Sequence, residues 1–416
     1  MATTHEYDAL IVGARVAGSS LAIRLAQQGR RVLVIDRDRF PSDIMSTHFL
    51  NFTAVDSLRR LGALDAIEAA GFQRLYRHRT WIDDISIDAP AGPPGAYSIA
   101  PRRIVLDQVL LERARESGAE VLEHARADAL IVEDGTVAGA KVQVIGGEAR
   151  DIRARLVVGA DGKGSQVARW VGAESYNERP AGRPIYLGYF HGVTPLPEPA
   201  IELFFKSDRI GFTFPMRPDE TLLCVETQAE EFETIRHEPL TWFLGVLADM
   251  PHMRERMRTA TLEGKLLGIR SVENCFRKPY GPGWALTGDA AYVKDPCTGY
   301  GIGDALLQGF WLAKALGSWF DGADWESTMS DYQARRDTSF GALYEQTIAS
   351  TVERDMSASE LAVLRSILIN QHDTRRLLHA VPRLAADAFD PLDQVRFAFI
   401  ARQFEEVVEK QPVQGS

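Results

Sequence analysis

The sequence predicts an α/β protein with three parts: an N-terminal βαβ unit, an antiparallel sheet inserted further along, and a helical C-terminal region. Three observations carry this reading. An apolar run meets a glycine-rich turn within residues 8–18, strand-like alternation dominates residues 184–228, and helical spacing dominates from Gly303 onward. With 416 residues, 45% of them apolar, the chain can build more than one core.

Taken in order, Asp8 to Val12 reads as a buried parallel strand ending at Gly13. Residues 19–28 carry Leu21, Ala22 and Leu25 at helical spacing, and Gly29 stops that helix. Val32 to Ile35 is a second buried strand with Asp36 at its end, completing strand, turn, helix, strand and acid. Residues 103–117 read as a helix and 120–123 as a strand. Residues 129–145 read as a meander, with turns at Asp134-Gly135 and Gly146-Gly147. Leu156 to Val158 is a buried strand running into Gly159-Ala160-Asp161-Gly162. A helix is expected over 238–258, and Trp284 to Thr287 is a strand running into Gly288-Asp289-Ala290. The expected division is residues 1–75, 100–183 and 271–330 in a nucleotide-binding domain. Residues 76–99 and 184–270 form a sheet-rich substrate domain, and 331–416 the helical region.

Composition excludes several classes. Lys plus Arg is 47 and Asp plus Glu 57, so the net charge of −10 repels nucleic acid and anionic lipid surfaces. The three cysteines, Cys224, Cys275 and Cys297, lie far apart without metal-ligand spacing. They predict neither a disulfide framework nor a zinc site, and they point to a reducing cytoplasm. The N-terminus has no basic segment followed by an apolar core, and no apolar run reaches spanning length, so no stable membrane insertion is expected.

The first chemical motif is the turn Gly13-Ala14-Arg15-Val16-Ala17-Gly18. A dinucleotide fold needs a tight turn after the strand, close backbone approach to a pyrophosphate, and close helix–strand packing. Gly13 and Gly18 fill the outer glycine positions. Arg15 takes the middle one, so its side chain must point away from the phosphates. The helix beyond offers free N–H groups and its positive dipole end. Asp36, 23 residues after Gly13, is placed to hold a ribose diol and repels a 2′-phosphate.

Three motifs then occur in a fixed order: Gly13 to Gly18 with Asp36-Arg37; Gly159 to Ser165; and Gly288 to Ala291 with Asp295-Pro-Cys-Thr-Gly-Tyr-Gly301. Over roughly residues 7–325 the chain resembles the FAD-dependent monooxygenases of the p-hydroxybenzoate hydroxylase type. Geranylgeranyl reductases and flavin-dependent halogenases are relatives of that group. The resemblance implies a Rossmann-like FAD-binding domain. In it, Gly13, Arg15, Val16, Ala17 and Gly18 wrap the pyrophosphate, Asp36 binds the adenosine ribose and Arg37 flanks the adenine. It implies that Arg103 contacts the ribityl–phosphate region, that the backbone at Arg126 meets the adenine, and that Asp161-Gly162 serves FAD and NAD(P)H. Asp289 is implied at the ribityl chain or a phosphate-side hydroxyl, with Pro296, Gly299, Gly301 and Ile302 beside the flavin ring.

The implied reaction uses NAD(P)H as transient electron donor and molecular oxygen. A flavin C4a-hydroperoxide passes its distal oxygen to a hydrophobic, aromatic or polycyclic small molecule. The protein is expected as monomer or homodimer, self-sufficient or fed by a reductase partner. His48, in Ser46-Thr47-His48, is the candidate catalytic group, able to orient substrate or take a proton near neutral pH. Tyr186, Tyr189, Phe204, Phe212 and Phe214 are the expected pocket walls. Three alternatives stay open. Gly211-Phe-Thr-Phe-Pro215 resembles a strand of the prenyl reductases, which act on a C=C bond. The halogenase signature Trp-x-Trp-x-Ile-Pro is missing from that stretch. A non-catalytic flavin-binding protein would use the same fold.

Overall fold

The computed structural model describes residues 6–351, apart from 83–84, 207 and 271–272. The part of the expected C-terminal helical region beyond residue 351 lies outside the described residues. In chain order the elements are β1 (Tyr7–Val12), α1 (Val16–Gln27), β2 (Val32–Ile35), α2 (Phe52–Leu61), α3 (Leu64–Ala69), β3 (Arg77–Ile82) and β4 (Ile85–Pro90). There follow α4 (Arg103–Glu116), β5 (Glu120–Leu122), β6 (Ala125–Glu133), β7 (Thr136–Val144), β8 (Ala149–Gly159), α5 (Gln166–Trp170) and β9 (Ser175–Arg179). Next come β10 (Ile185–His191), β11 (Ala200–Phe205), β12 (Ile210–Arg217), β13 (Glu220–Glu226), α6 (Phe232–Ile235), α7 (Pro239–Ala248), α8 (Met253–Arg256) and β14 (Thr261–Ile269). The described residues end with β15 (Asn274–Arg277), β16 (Tyr280–Gly281), β17 (Trp284–Leu286), β18 (Tyr292–Val293), α9 (Gly301–Phe320) and α10 (Trp325–Thr351).

Two compact units emerge. Of the described residues, the first takes 6–72, 99–180 and 273–341; the second takes those within 73–98, 181–270 and 342–351. The first is built on a parallel sheet in the order β5-β2-β1-β8-β17. Its strands are continuous apolar runs because both faces are covered. One face packs α1, whose buried stripe includes Val16, Leu21, Ala22 and Leu25. On α9, a Cβ at Gly309 would meet Ser20 Oγ of α1, so the small residue sets how closely these helices approach. A core containing Leu10, Leu33, Val157, Val142 and Leu286 joins the parallel sheet to the β6–β7 meander.

β8 belongs to two pairings. Its first half runs antiparallel to β7, from Ala149 to Arg153. Its second half runs parallel to β1 and β17, from Ala154 to Gly159.

The second unit carries a seven-stranded sheet, β14-β10-β13-β12-β11-β3-β4, antiparallel except where β11 runs parallel to β3. The observed fold class is thus the α/β architecture with an inserted, mainly antiparallel sheet that the sequence predicts. Two boundaries differ. The helix expected over 238–258 is broken between α7 and α8, where Pro251 cannot continue it and His252 takes a left-handed conformation (φ 62°). The long helix expected from Gly303 begins at Gly301.

Candidate flavin-binding site

The turn between β1 and α1 shows why two glycines are required. Gly13 has φ 106°, and a Cβ there would overlap the carbonyl of Ala160. A Cβ on Gly18 would overlap the Gly13 carbonyl, so α1 lies directly against the turn. The Gly13 amide donates to Ile35 O (2.8 Å), tying the turn to β2. Val16 is buried in the core, and Ala17 meets the Gly288 turn closely enough that a Cβ there would lie 2.7 Å away.

Asp36 is buried at the end of β2. One oxygen accepts from the Ala14 amide (2.7 Å) and the other from the Asp38 amide (2.9 Å). Burial pushes its carboxyl above the usual range, and those two amides pull it back. The backbone of β6 starts beside it, with the Ala125 amide donating to Asp36 O (2.8 Å). The neighbouring Arg126 side chain is exposed and paired with Asp128 (2.6 Å). Arg37 is exposed at the same end of the sheet.

The guanidinium of Arg15 turns to carboxylates, Asp107 at 2.7 Å and Asp38 at 3.0 Å, and to Ser42. Asp107 also takes both arms of Arg103, at 2.9 and 3.0 Å. Asp107 has no solvent exposure. The sequence places it in the Arg-x-x-Leu-Asp107 helix start but assigns it no role, although its i+4 spacing from Arg103 is a usable signal.

Asp161 stands in the turn between β8 and α5. Its carboxylate accepts from Ser165 Oγ (2.5 Å) and from the Gln166 amide (2.7 Å), holding the start of α5; Gly162 follows in the adjoining turn.

Asp289 is accessible to solvent, yet burial is the main cause pushing its carboxyl upward. Both hold for a group at the mouth of a recess. Arg103, Lys294 and Lys163 pull its carboxyl down and Asp304 pushes it up, so cations outnumber acids around it. Beyond it, Pro296, Cys297 and Thr298 form a short turn in which the Asp295 carboxylate accepts from the Cys297 amide (3.0 Å). Gly299 packs on Phe49, whose ring a Cβ would approach to 2.8 Å. Gly301 is exposed and faces open space: a Cβ there would meet nothing within 4 Å. Ile302 turns inward and is buried.

His48 corrects an expectation. It is fully buried, and its Nδ1 lies 3.0 Å from Pro101 O and 3.1 Å from the Arg103 amide. Burial, aided by the Arg103 charge, lowers its pKa to about 3. A ring that stays neutral down to acid pH exchanges no proton near pH 7. It ties the 46–50 segment to the start of α4.

The aromatic set splits by sheet face. Cross-strand partners share a face, and neighbours along a strand alternate. Tyr186 and Phe204 lie on one face with Phe190, Leu223 and Val225, in a core closed by Phe243, Leu247 and Met250 of α7 and its exit. Phe204 also stacks on Trp81. These two are core residues rather than pocket walls. Tyr189, Phe212 and Phe214 lie on the opposite face, where Phe212 and Phe214 stack at 6.0 Å.

The donor set can be tested against FAD. The first amides of any helix lack an intrahelical acceptor. Asn51 caps α2 and Ser165 caps α5 with their side chains; α1 and α9 have no side-chain cap, a trait they share with α3, α4, α6, α7 and α8, and what marks them is the glycine-containing turn leading into each. Two uncapped helix N-termini at glycine turns, a buried acid at the end of β2, an acid among cations, and a glycine facing open space suit a pyrophosphate, a ribose, a ribityl chain and a flat ring. The residues fit FAD.

Comparison with known proteins agrees. Residues 6–347 match the FAD binding domain family. The chain belongs to that family. This FAD-binding protein is 26% identical over 362 residues to 1H-pyrrole-2-carbonyl-(peptidyl-carrier protein) brominase of Pseudoalteromonas luteoviolacea, covering 85% of this chain and 86% of the relative. It is 24% identical over 407 residues to digeranylgeranylglycerophospholipid reductase of Methanosarcina mazei, covering 96% and 94%. Its fold matches that of PqsL from Pseudomonas aeruginosa, described as a probable FAD-dependent monooxygenase, with TM-score 0.72 and 22% identity over 85% of this chain and 97% of that one. The FAD-binding protein is thus an FAD-dependent oxidoreductase, in the group the sequence motifs resemble. Among the described residues, no helix is long and apolar enough to cross a membrane.

Proposed function

We propose that this protein is a monooxygenase that uses NAD(P)H and molecular oxygen on a hydrophobic small molecule. The observation that carries the reading is the N-terminus of α9. It is uncapped, begins at a glycine facing open space, and follows a tight turn held by Asp295. Bound FAD supplies the hydride and oxygen chemistry. The α1 amides would hold the pyrophosphate, Asp36 the adenosine ribose, and Asp289 the ribityl chain. The N-terminus of α9 would favour negative charge on the bound ring. Arg103 is set by Asp107 and lends its charge to the Asp289 recess. Tyr189, Phe212 and Phe214 are buried on the sheet face opposite α7, and their apolar side chains suit a hydrophobic substrate better than a polar one.

A second reading, reduction of a C=C bond, is favoured by the likeness to the Methanosarcina mazei reductase over nearly the whole of both chains. Halogenation is placed third. The brominase likeness supports it, while Gly211-Phe-Thr-Phe-Pro215 in β12 has no tryptophan. The test is an anaerobic spectrum of purified protein with NADH or NADPH and a candidate ligand panel, followed by air. Bleaching and then oxygen-dependent product supports the monooxygenase. Product formed without oxygen, by loss of a double bond, moves the assignment to the reductase.

A further inference from the structure

The segment between β18 and α9 is closed by a buried ion pair. Lys294 leaves β18, Asp304 stands in the first turn of α9, and the ammonium bonds the carboxylate directly. Both side chains are almost wholly buried. The ammonium also lies 5.3 Å from the Tyr292 ring and 6.0 Å from the Tyr300 ring, and its charge reaches Asp289. Lys294 therefore stands among the residues of the proposed flavin recess, without a role in the assignment above.

A loop closure alone does not call for these charges. Two buried charges lose much hydration, and an apolar pair of similar volume often closes the same space at least as stably. Asp304 also sits where the helix dipole already favours a carboxylate. A fixed cation in a low-dielectric recess matters most to a partner whose own charge changes. Reduction of flavin by two electrons and one proton leaves negative charge on its pyrimidine portion. Charge near that edge is one of the protein's means of tuning the cofactor.

We propose that Lys294, held by Asp304, sets the redox potential of the bound flavin. The proposal rests on the FAD reading. Lys294 favours the reduced ring, and Asp304 both anchors the ammonium and offsets its field. The two residues thus act with opposite sign.

The test measures the bound-flavin potential against a reference dye during dithionite titration, with FAD content determined separately from absorbance and protein mass. At fixed potential, Lys294→Met should lower the reduced-to-oxidised ratio at least tenfold, about 30 mV downward for a two-electron couple. Asp304→Asn should raise it, while Lys294→Arg and the double variant Lys294→Met/Asp304→Asn should stay within about threefold of the parent. A clasp that merely shapes the loop predicts that both single variants move together and that the double variant is no better; that result overturns the proposal, as do four unmoved potentials. If Lys294→Met does not fold, the upward shift of Asp304→Asn against an unmoved Lys294→Arg decides. Parent protein that binds no FAD defeats both readings, whereas normal FAD content with unmoved potentials defeats only this one.

Discussion

Arg15 and Asp107 stand 92 residues apart and form an ion pair of 2.7 Å that also engages Arg103. The residue at the middle glycine position of the dinucleotide turn is thereby bound to the helix that follows the second unit's first strands. Its charge is used within the protein.

From this it follows that Asp107→Ala costs stability before it costs chemistry. Two half-buried guanidinium groups would lose their shared carboxylate, and breaking a buried pair from one side costs about 3–5 kcal/mol. Urea denaturation of the cofactor-free protein should show a loss of about 3 kcal/mol. A loss under about 0.5 kcal/mol would mean that the pair is not formed in solution.

Arg15→Ala separates structure from binding. The guanidinium is committed to Asp107, Asp38 and Ser42, so FAD affinity should stay within about threefold while unfolding free energy falls by about 1–3 kcal/mol. Titration with FAD by fluorescence quenching reads the first quantity. A tenfold loss of affinity would place the Arg15 side chain on the cofactor.

Glycines at the two ends of the site should behave oppositely. Gly13→Ala meets backbone and an unfavourable φ, so it should weaken the folded state itself, with a lower Tm in cofactor-free protein. Gly301→Ala meets nothing within 4 Å and removes chain entropy from the unfolded state, so its cofactor-free Tm should hold or rise. Its FAD affinity should nevertheless fall at least tenfold, because the new methyl group fills space meant for the ring. Unchanged affinity would move the ring away from α9.

His48 gives a pH signature. Its folded pKa of about 3 lies below the unfolded value of 6.5, so protons favour the unfolded chain. The stabilisation is complete above pH 6.5 and is lost as pH falls from there toward 3, at up to about 1.4 kcal/mol per pH unit. His48→Gln lacks that slope, whereas His78, also held low by burial, contributes equally to both proteins. The stability gap between parent and variant, read from urea midpoints at pH 7.5 and 5.0, should narrow on acidification. A constant gap would show that the ring reaches solvent.

Much of the first unit is legible in the sequence because its signals are local. The run from Asp8 to Asp36 contains its own strands, turn, helix and acid, and Gly288-Asp289 with the Gly299–Gly301 turn lies within a few residues of the helix it serves. What cannot be read locally is orientation. Tyr186 and Tyr189 are three residues apart in a strand buried on both faces, so no polar alternation tells which side meets α7. The burial of His48 depends on Pro101 and Arg103, more than fifty positions later. The Arg15 partnership likewise needs the tertiary arrangement of α1 against α4.

The nucleotide-binding unit is assembled from three separate stretches of chain, and its parallel sheet ends on β17 at Trp284–Leu286. During synthesis β1 therefore waits for about 270 further residues, roughly 14–54 s at 5–20 residues per second, before the last parallel strand can dock. For about the last 125 of those residues, roughly 6–25 s at the same rate, β8 would present an unpaired edge at Val157, Val158 and Gly159, all apolar or small. A nascent chain stalled before residue 284 should be the species most prone to capture by chaperones or to aggregation. The same protein released a few dozen residues later should escape both.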